Sequence, residues 1–158
     1  MLSGTRLLVF LVSLCALLGP MAQRASGQSL SPQQRQAILD YRLTLSGAEH
    51  LIAAMQAMTK YLVSLPDYQE RMRKSATMTA AERIAQLESD PKAAAILKEH
   101  GLTGRDYLVG VPALRMALMA AQGAAAPNIV ASPENVAFAK ANLAQLKPKM
   151  DAADGVRR

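Results

Sequence analysis

Apolar residues between positions 47 and 64 recur at the spacing of one helical face. At about 100° per residue, one set of side chains lies within roughly 80° of Met55: Ala48, Leu51, Ile52, Met58, Thr59, Leu62 and Leu65. Polar residues such as Glu49 and Lys60 lie toward the opposite side. This one-sided pattern is typical of an amphipathic helix with one face in a core.

Helix-start signals recur along the rest of the chain. A capping Ser, Thr or Asp, often followed by Pro or by a Gln or Glu three residues on, marks a helix N-terminus, and such residues are Ser31, Ser46, Thr79, Asp90, Thr103 and Ser132. No run alternates as a strand would. The pattern predicts an all-α fold, a compact single-domain bundle of about five to seven helices, over 32–43, 47–64, 67–75, 80–88, 91–100, 104–121 and 133–147, with an extended segment near Arg42 to Leu45.

The first residues, MLSGTRLLVFLVSLCALLGPMAQRASGQ, have the pattern of a secretory signal peptide. The apolar run over 7–18 would span about 18 Å as a helix, against about 30 Å for the hydrocarbon core of a bilayer. Cleavage is predicted after Gly27, and export by the Sec route leads to the periplasm or the extracellular space. We therefore expect a signal peptide at 1–27, a helical domain at 28–147 and a flexible C-terminal tail at 148–158.

Cysteine content and charge exclude several classes of function. Cys15, within the apolar run, is the only cysteine, so the mature chain has no disulfide, thiol nucleophile or thiolate metal site. Removal of the signal peptide takes away two of the 18 basic residues and none of the 12 acidic ones, which lowers the formal net charge from +6 to +4. That charge is too weak to indicate a nucleic-acid partner. The mature chain has no second long apolar segment, so no transmembrane segment is expected in it.

The segment YLVGVPALRMALMAA, residues 107–121, contains one charged residue, Arg115. Arg115 lies about 40° from Val111, on the apolar face of the predicted helix, which Pro112 is expected to kink. A buried guanidinium stays protonated and needs acceptors. In one interpretation its head contacts an internal carboxylate, such as that of Asp40, Glu88 or Asp106. In the other, a ligand carboxylate or phosphate enters between helices and binds Arg115, near Tyr107.

Methionine pairs suggest a second kind of site. Met55 and Met58, and again Met116 and Met119, have the M-x-x-M spacing that brings two thioethers together on a helix. Thioethers suit Cu(I), so copper or noncovalent haem binding is an alternative. Methionine is also ordinary core filler, and Met55 lies on the apolar face of its helix.

No motif for catalysis is present. HExxH, GxSxG and Cys-x-x-Cys-His are all absent from the sequence. His50 points away from the apolar face, and His100 lies in a last helical turn, where it complements the helix dipole. The densest basic cluster, residues 71–74, is interpreted as a solvated face or as a contact for an anionic surface. We therefore expect no enzyme and no cofactor.

The segments GLTGRDYLVGVPALRMALMAAQ and SPENVAFAKANLAQL resemble a loose pattern in small exported all-helical proteins of unknown function from Gram-negative bacteria. The resemblance covers residues 46–147 and rests on helix starts and apolar positions, so it implies the export and the fold but no functional residue. We expect an exported binding protein that holds a small amphipathic anion between helices or docks a protein partner. The alternatives are the copper or haem carrier and a structural or stress-related interaction module without a small ligand.

Overall fold

The computed structural model describes residues 30–124 and 129–155 of the chain. Within these residues the chain is all-α and contains no strand, which confirms the predicted fold class. The helices are α1 (Pro32–Asp40), α2 (Leu45–Val63), α3 (Tyr68–Thr77), α4 (Ala80–Ser89), α5 (Pro91–Glu99), α6 (Gly104–Ala121) and α7 (Pro133–Gly155). The predicted signal peptide at 1–27 lies outside the described residues. None of the described helices combines the length and the apolarity needed to cross a membrane.

Most of the predicted helix starts are confirmed by their capping contacts. The side chains of Ser31, Thr79 and Thr103 each form a capping box with the residue three positions on. The prediction for Ser46 is wrong, because Thr44 caps α2 instead. Thr44 is extended, with φ −124° and ψ 159°, and its Oγ1 accepts a hydrogen bond of 3.1 Å from the Gly47 amide. Ser46 therefore lies inside the first turn.

Helix α7 continues to Gly155, so the prediction of a flexible tail from residue 148 is wrong over the described part of that segment. Pro148 lies inside the helix, where a proline costs about 3 kcal/mol through its lost hydrogen bond and its ring. Burial opposes this cost, since Met150 is 6 % exposed and Ala153 is 0 % exposed. Lys149 also donates a hydrogen bond to Glu49 on α2, and this contact is the main cause that lowers the pKa of Glu49.

In the described part of the chain, the core consists of three hydrophobic clusters. The main cluster joins α2, α6 and α7 and includes Leu51, Met55, Leu114 and Leu146, each at most 1 % exposed. A second cluster, the α5 cluster, joins Met58 to Ala93, Ile96 and Leu97. A third, the α1 cluster, joins Ile38, Ala113 and Val130. Helix α6 therefore crosses the centre of the bundle, as its almost uniformly apolar sequence predicts.

Gly110 allows α6 to approach Tyr41, which precedes α2, and Leu51, which lies within α2. A Cβ atom at position 110 would lie 2.8 Å from Cζ and Oη of Tyr41 and 2.9 Å from Cδ1 of Leu51. Such contacts are too short for ordinary packing. Helix α6 is continuous through Pro112, so this tight contact and Arg115 lie on one helix.

Asn135 on α7 fixes the segment between α1 and α2. Its Nδ2 donates a 2.7 Å hydrogen bond to the Tyr41 carbonyl, and its Oδ1 accepts a 3.1 Å hydrogen bond from the Leu43 amide. Asn135 is 2 % exposed, so few other partners are available to these backbone groups. Thr44 is extended, as predicted for residues 42–45, whereas Leu45 already belongs to α2. Tyr41 is extended as well, so the first helix ends at Asp40 and not at the predicted residue 43.

Candidate binding sites on helices α6 and α3

Arg115 lies where α2, α6 and α7 meet at the surface. Its Nη2 donates a hydrogen bond to Oδ1 of Asp154 on α7 and lies 3.1 Å from Sδ of Met55 on α2. The side chain of Arg115 is 31 % exposed and that of Asp154 is 40 % exposed. The stem of Arg115 thus lies among apolar neighbours while its head forms an ion pair that water can reach.

Arg115 has an internal carboxylate partner, but the three candidates named from the sequence are wrong. The Asp40 carboxylate accepts a hydrogen bond from Nε2 of Gln36. The Asp106 carboxylate accepts hydrogen bonds from the amide and hydroxyl of Thr103 at the start of α6. Glu88 lies against Gly104 instead. The true partner, Asp154, belongs to the segment predicted to be a tail. Binding of an external anion at Arg115 stays a prediction.

Tyr107 does not share the surroundings of Arg115. It is half-buried and packs against both the main cluster and the α5 cluster. Eight residues separate it from Arg115, a rise of about 12 Å along the helix. Tyr107 therefore contributes to the core in the described structure, and a role in ligand binding stays a prediction.

The methionine pairs are distributed over different parts of the core. Met55 belongs to the main cluster, Met58 to the α5 cluster, and Met116 packs against the α1 cluster. Met119 is 46 % exposed. In addition, the guanidinium beside Met55 disfavours a second cation there. The four methionines thus have different surroundings, and copper or haem binding by them stays a prediction.

Other side chains that could bind a metal ion do not form a cluster in the described residues. Within residues 30–124 and 129–155, no group of three or more His, Cys, Asp or Glu side chains is placed to hold a metal ion. His50 is exposed on α2, and His100 is the C-cap of α5, directly before Gly101 with its φ of +66°. Both positions agree with the structural interpretations given from the sequence.

Helix α3 has a different relation to the bundle. Of the helices in the described residues, it alone has no side chain within or packed against any of the three hydrophobic clusters, whereas Leu87 of α4 packs against the α5 cluster. Three of its residues are half-buried and lie on one face of the helix: Tyr68, Arg71 and Ser75. The other residues of the helix are exposed: Gln69, Glu70, Met72, Arg73, Lys74, Ala76 and Thr77. Met72 is 48 % exposed.

Arg71 connects α3 to the rest of the protein. Its Nε lies 2.8 Å from Oδ2 of Asp67, one turn earlier, and its Nη1 lies 3.6 Å from Oδ2 of Asp90, the N-cap of α5. An open cleft of about 260 Å³ lies beside these groups, lined by residues of α3 and α4 and the residue before α3: Asp67, Glu70, Arg71, Lys74 and Gln86. Polar contacts rather than apolar burial thus set the position of α3.

The carboxylate of Asp90 has contacts with three helices, α2, α3 and α5. It accepts hydrogen bonds from the Tyr61 hydroxyl on α2 and from the amides of Lys92 and Ala93 on α5. Burial is the largest single influence and raises the pKa of Asp90, but the hydrogen bonds from Ala93, Tyr61 and Lys92 and the charge of Arg71 together outweigh it. The pKa of Asp90 is therefore lowered. The pKa of Tyr61 is raised, first by its hydrogen bond to Asp90 and second by burial.

The Asp90→Ala substitution should loosen α3. It removes the cap of α5 and the partner of Arg71, so we expect a loss of about 2 kcal/mol in the free energy of unfolding and faster amide exchange over residues 68–77, measured by hydrogen–deuterium exchange. Because the folded-state pKa of Asp90 is lowered, its contribution is present above its ordinary pKa and is lost as the pH falls through the folded value. Asp151→Ala, which breaks the exposed pair with Lys147, is the control. Equal exchange in the two variants would contradict this role of Asp90.

Comparison of the chain with protein-family models, with curated proteins and with solved structures gives no match.

Proposed function

We propose that this chain is an exported helical protein without catalytic activity, which acts by binding a protein partner through α3. The observation that carries the proposal is that no side chain of α3 belongs to or packs against the three clusters, while Arg71 joins the helix to Asp90, the N-cap of α5. Packing of the core therefore places little constraint on the outward residues of α3.

Two of the exposed residues of α3, Met72 and Arg73, are of types that protein interfaces favour. Met and Arg are enriched in such interfaces relative to the rest of a protein surface, and Met72 and Arg73 are adjacent in the helix. The flexible thioether of Met72 can adapt to an apolar pocket on a partner. The cleft between α3 and α4 offers a neighbouring recess with charged walls, where a polar side chain of the partner can enter.

A protein partner fits α3 better than a membrane or a nucleic acid does. A helix that lies in a membrane interface needs a broad apolar face, whereas Met72 is the one large apolar side chain among the exposed residues of α3. Nucleic-acid surfaces combine a strong basic patch with stacking platforms. On α3, Glu70 accompanies Arg73 and Lys74, and the aromatic Tyr68 lies on the inner face.

The export part of the proposal rests on residues 1–27, whose basic start, apolar run and small-residue exit are those of a signal peptide. No described feature favours the copper or haem carrier. The small-ligand alternative has a candidate position at Arg115, whose side chain is partly exposed.

Site-specific crosslinking tests the proposed contact. A photo-crosslinking amino acid is placed at Met72 or at Met119 in the cells that naturally make the protein, and products are recovered from the exported fraction. The two positions are matched, since their exposed fractions are 48 % and 46 %, but they lie on different helices. We expect a discrete heavier product from position 72, with a mass that identifies the partner, and none from position 119.

Charge reversal at Arg73 distinguishes a specific contact from chance collisions. Arg73→Glu should reduce the yield of the product from position 72 several-fold, because like charges across an interface oppose docking. The matched reversal Lys140→Glu, at another exposed position, on α7, should leave the yield unchanged. Equal products from positions 72 and 119, or a product at neither, would rule out α3 as the binding surface.

A further inference from the structure

We infer that Arg115 and Met119 together form a surface site for a small amphipathic carboxylate, and that Asp154 acts there as an internal competitor. The inference is independent of the proposed role of α3, because it concerns a different helix and a different class of ligand.

The two residues form a pair on one face of α6. They are four positions apart, so their side chains are neighbours on the helix surface. Arg115 is 31 % exposed and Met119 is 46 % exposed. A cation and an exposed apolar side chain thus lie side by side near the C-terminal end of α6. This arrangement suits a ligand with an anionic head and a short apolar chain.

The guanidinium retains donors for such a head group. Both of its hydrogen bonds use Nη2, toward Asp154 and Met55. Within the described residues, Nε and Nη1 of Arg115 have no acceptor, and either group can donate a single hydrogen bond to a second carboxylate. The positive charge of the guanidinium strengthens such a hydrogen bond. The contact with Asp154 shows that a carboxylate fits against this guanidinium.

Asp154 should weaken the binding of an external carboxylate. Its own negative charge repels a second anion and holds part of the guanidinium. The pair is partly exposed, and pairs of this kind contribute up to about 1 kcal/mol, which corresponds to about fivefold in affinity. Removing the charge of Asp154 should therefore strengthen binding by about this factor. A purely structural ion pair predicts no such gain.

The chain offers its own internal control. Met119 and Met72 are both methionines with nearly equal exposed fractions, 46 % and 48 %. In protein labelled with ¹³C at the methionine methyl groups, both signals report on their surroundings in one NMR spectrum. A ligand that merely adheres to exposed apolar side chains moves both signals, whereas a ligand of the proposed site moves the signal of Met119.

The test is a titration of the labelled protein with octanoate, and separately with 1-octanol, which has the same chain length without the charge. We expect octanoate to shift the Met119 signal saturably, octanol to shift it far less, and the Met72 signal to move little. Asp154→Asn should bind octanoate about fivefold more tightly, and Arg115→Gln should lose the saturable shift.

Two results would overturn the inference. One is equal movement of the Met119 and Met72 signals. The other is an unchanged or lower affinity in Asp154→Asn, with the fold intact by circular dichroism. Asp154→Asn keeps the test valid even where Arg115→Gln fails to fold, because Asp154→Asn retains the guanidinium of Arg115. Neither result bears on crosslinking at Met72, so failure here leaves the proposed function standing.

Discussion

Replacing Asn135 with Ala is expected to lower the free energy of unfolding by about 3 kcal/mol. The side chain satisfies the Tyr41 carbonyl and the Leu43 amide simultaneously. At a position that is 2 % exposed, water cannot readily replace it. Each backbone group left without a partner costs about 1–3 kcal/mol when it is buried. Urea unfolding followed by circular dichroism measures the change.

Asn142 provides the matched control on the same helix. Its Nδ2 donates to the Phe138 carbonyl one turn earlier, a group that already accepts a helical hydrogen bond. Asn142→Ala should change the stability by no more than about 0.5 kcal/mol, because alanine also favours the helix. If Asn135→Ala were as mild as Asn142→Ala, the segment before α2 would not depend on Asn135.

Ending the chain at Lys147 is expected to lower the free energy of unfolding by about 4 kcal/mol. The deletion removes the buried side chains of Met150 and Ala153 and uncovers part of the main cluster. It also removes Asp154, so the partly buried head of Arg115 loses its carboxylate. Removal of a flexible tail would leave the free energy of unfolding almost unchanged. The size of the loss therefore distinguishes a flexible tail, as predicted from the sequence, from the packed helix that the structure contains.

Two methionine variants show whether the loss of stability comes from the loss of buried side chains. Met150→Ala should cost about 2–3 kcal/mol, since Met150 is 6 % exposed and truncation leaves a cavity. Met72→Ala, at a position that is 48 % exposed, should cost less than about 0.5 kcal/mol. A full-length stability for the shortened chain, or equal effects of the two methionine variants, would contradict the packing of the end of α7.

Local signals explain why most of the fold could be predicted from the sequence. A capping box involves residues only three positions apart, as in Thr79 with Glu82 or Thr103 with Asp106, so it can be recognised without tertiary structure. The apolar face of α2 was predictable for the same reason, and Met55 and Met58 are both buried as expected. The error at Ser46 arose because Thr44 offers a competing cap two residues earlier.

The contacts that escaped prediction join residues far apart in the chain. Asn135 contacts segments more than 90 positions away, and Asp154 contacts Arg115 across 39 positions. Neither residue has a local motif that would single it out. Pro148 also misled the prediction, because the pattern rule treats a proline as a helix end, whereas burial of Met150 keeps α7 helical beyond it.

The candidate sites were predictable only in part. The isolated charge of Arg115 in an apolar segment correctly drew attention to a position where a cation needs partners. The basic cluster at 71–74 lies in α3, but no pattern in the sequence indicates that this helix has no contact with the hydrophobic clusters. That property depends on Asp90, which looks in the sequence like an ordinary helix cap and in the structure also binds Tyr61 and lies near Arg71.

The dependence of the main cluster on α7 has a consequence for how the protein is made. Leu51 and Met55 in α2 are synthesised early, but Leu146 and Met150, which share their cluster, emerge from the ribosome roughly 90 residues later. Until then the apolar face of α2 has no complete partner, and contacts of such long separation form slowly. We therefore expect the growing chain to be incompletely folded during most of its synthesis. That state is the one in which a polypeptide can be threaded through a secretion channel, and it is also the state that a chaperone has to protect from aggregation.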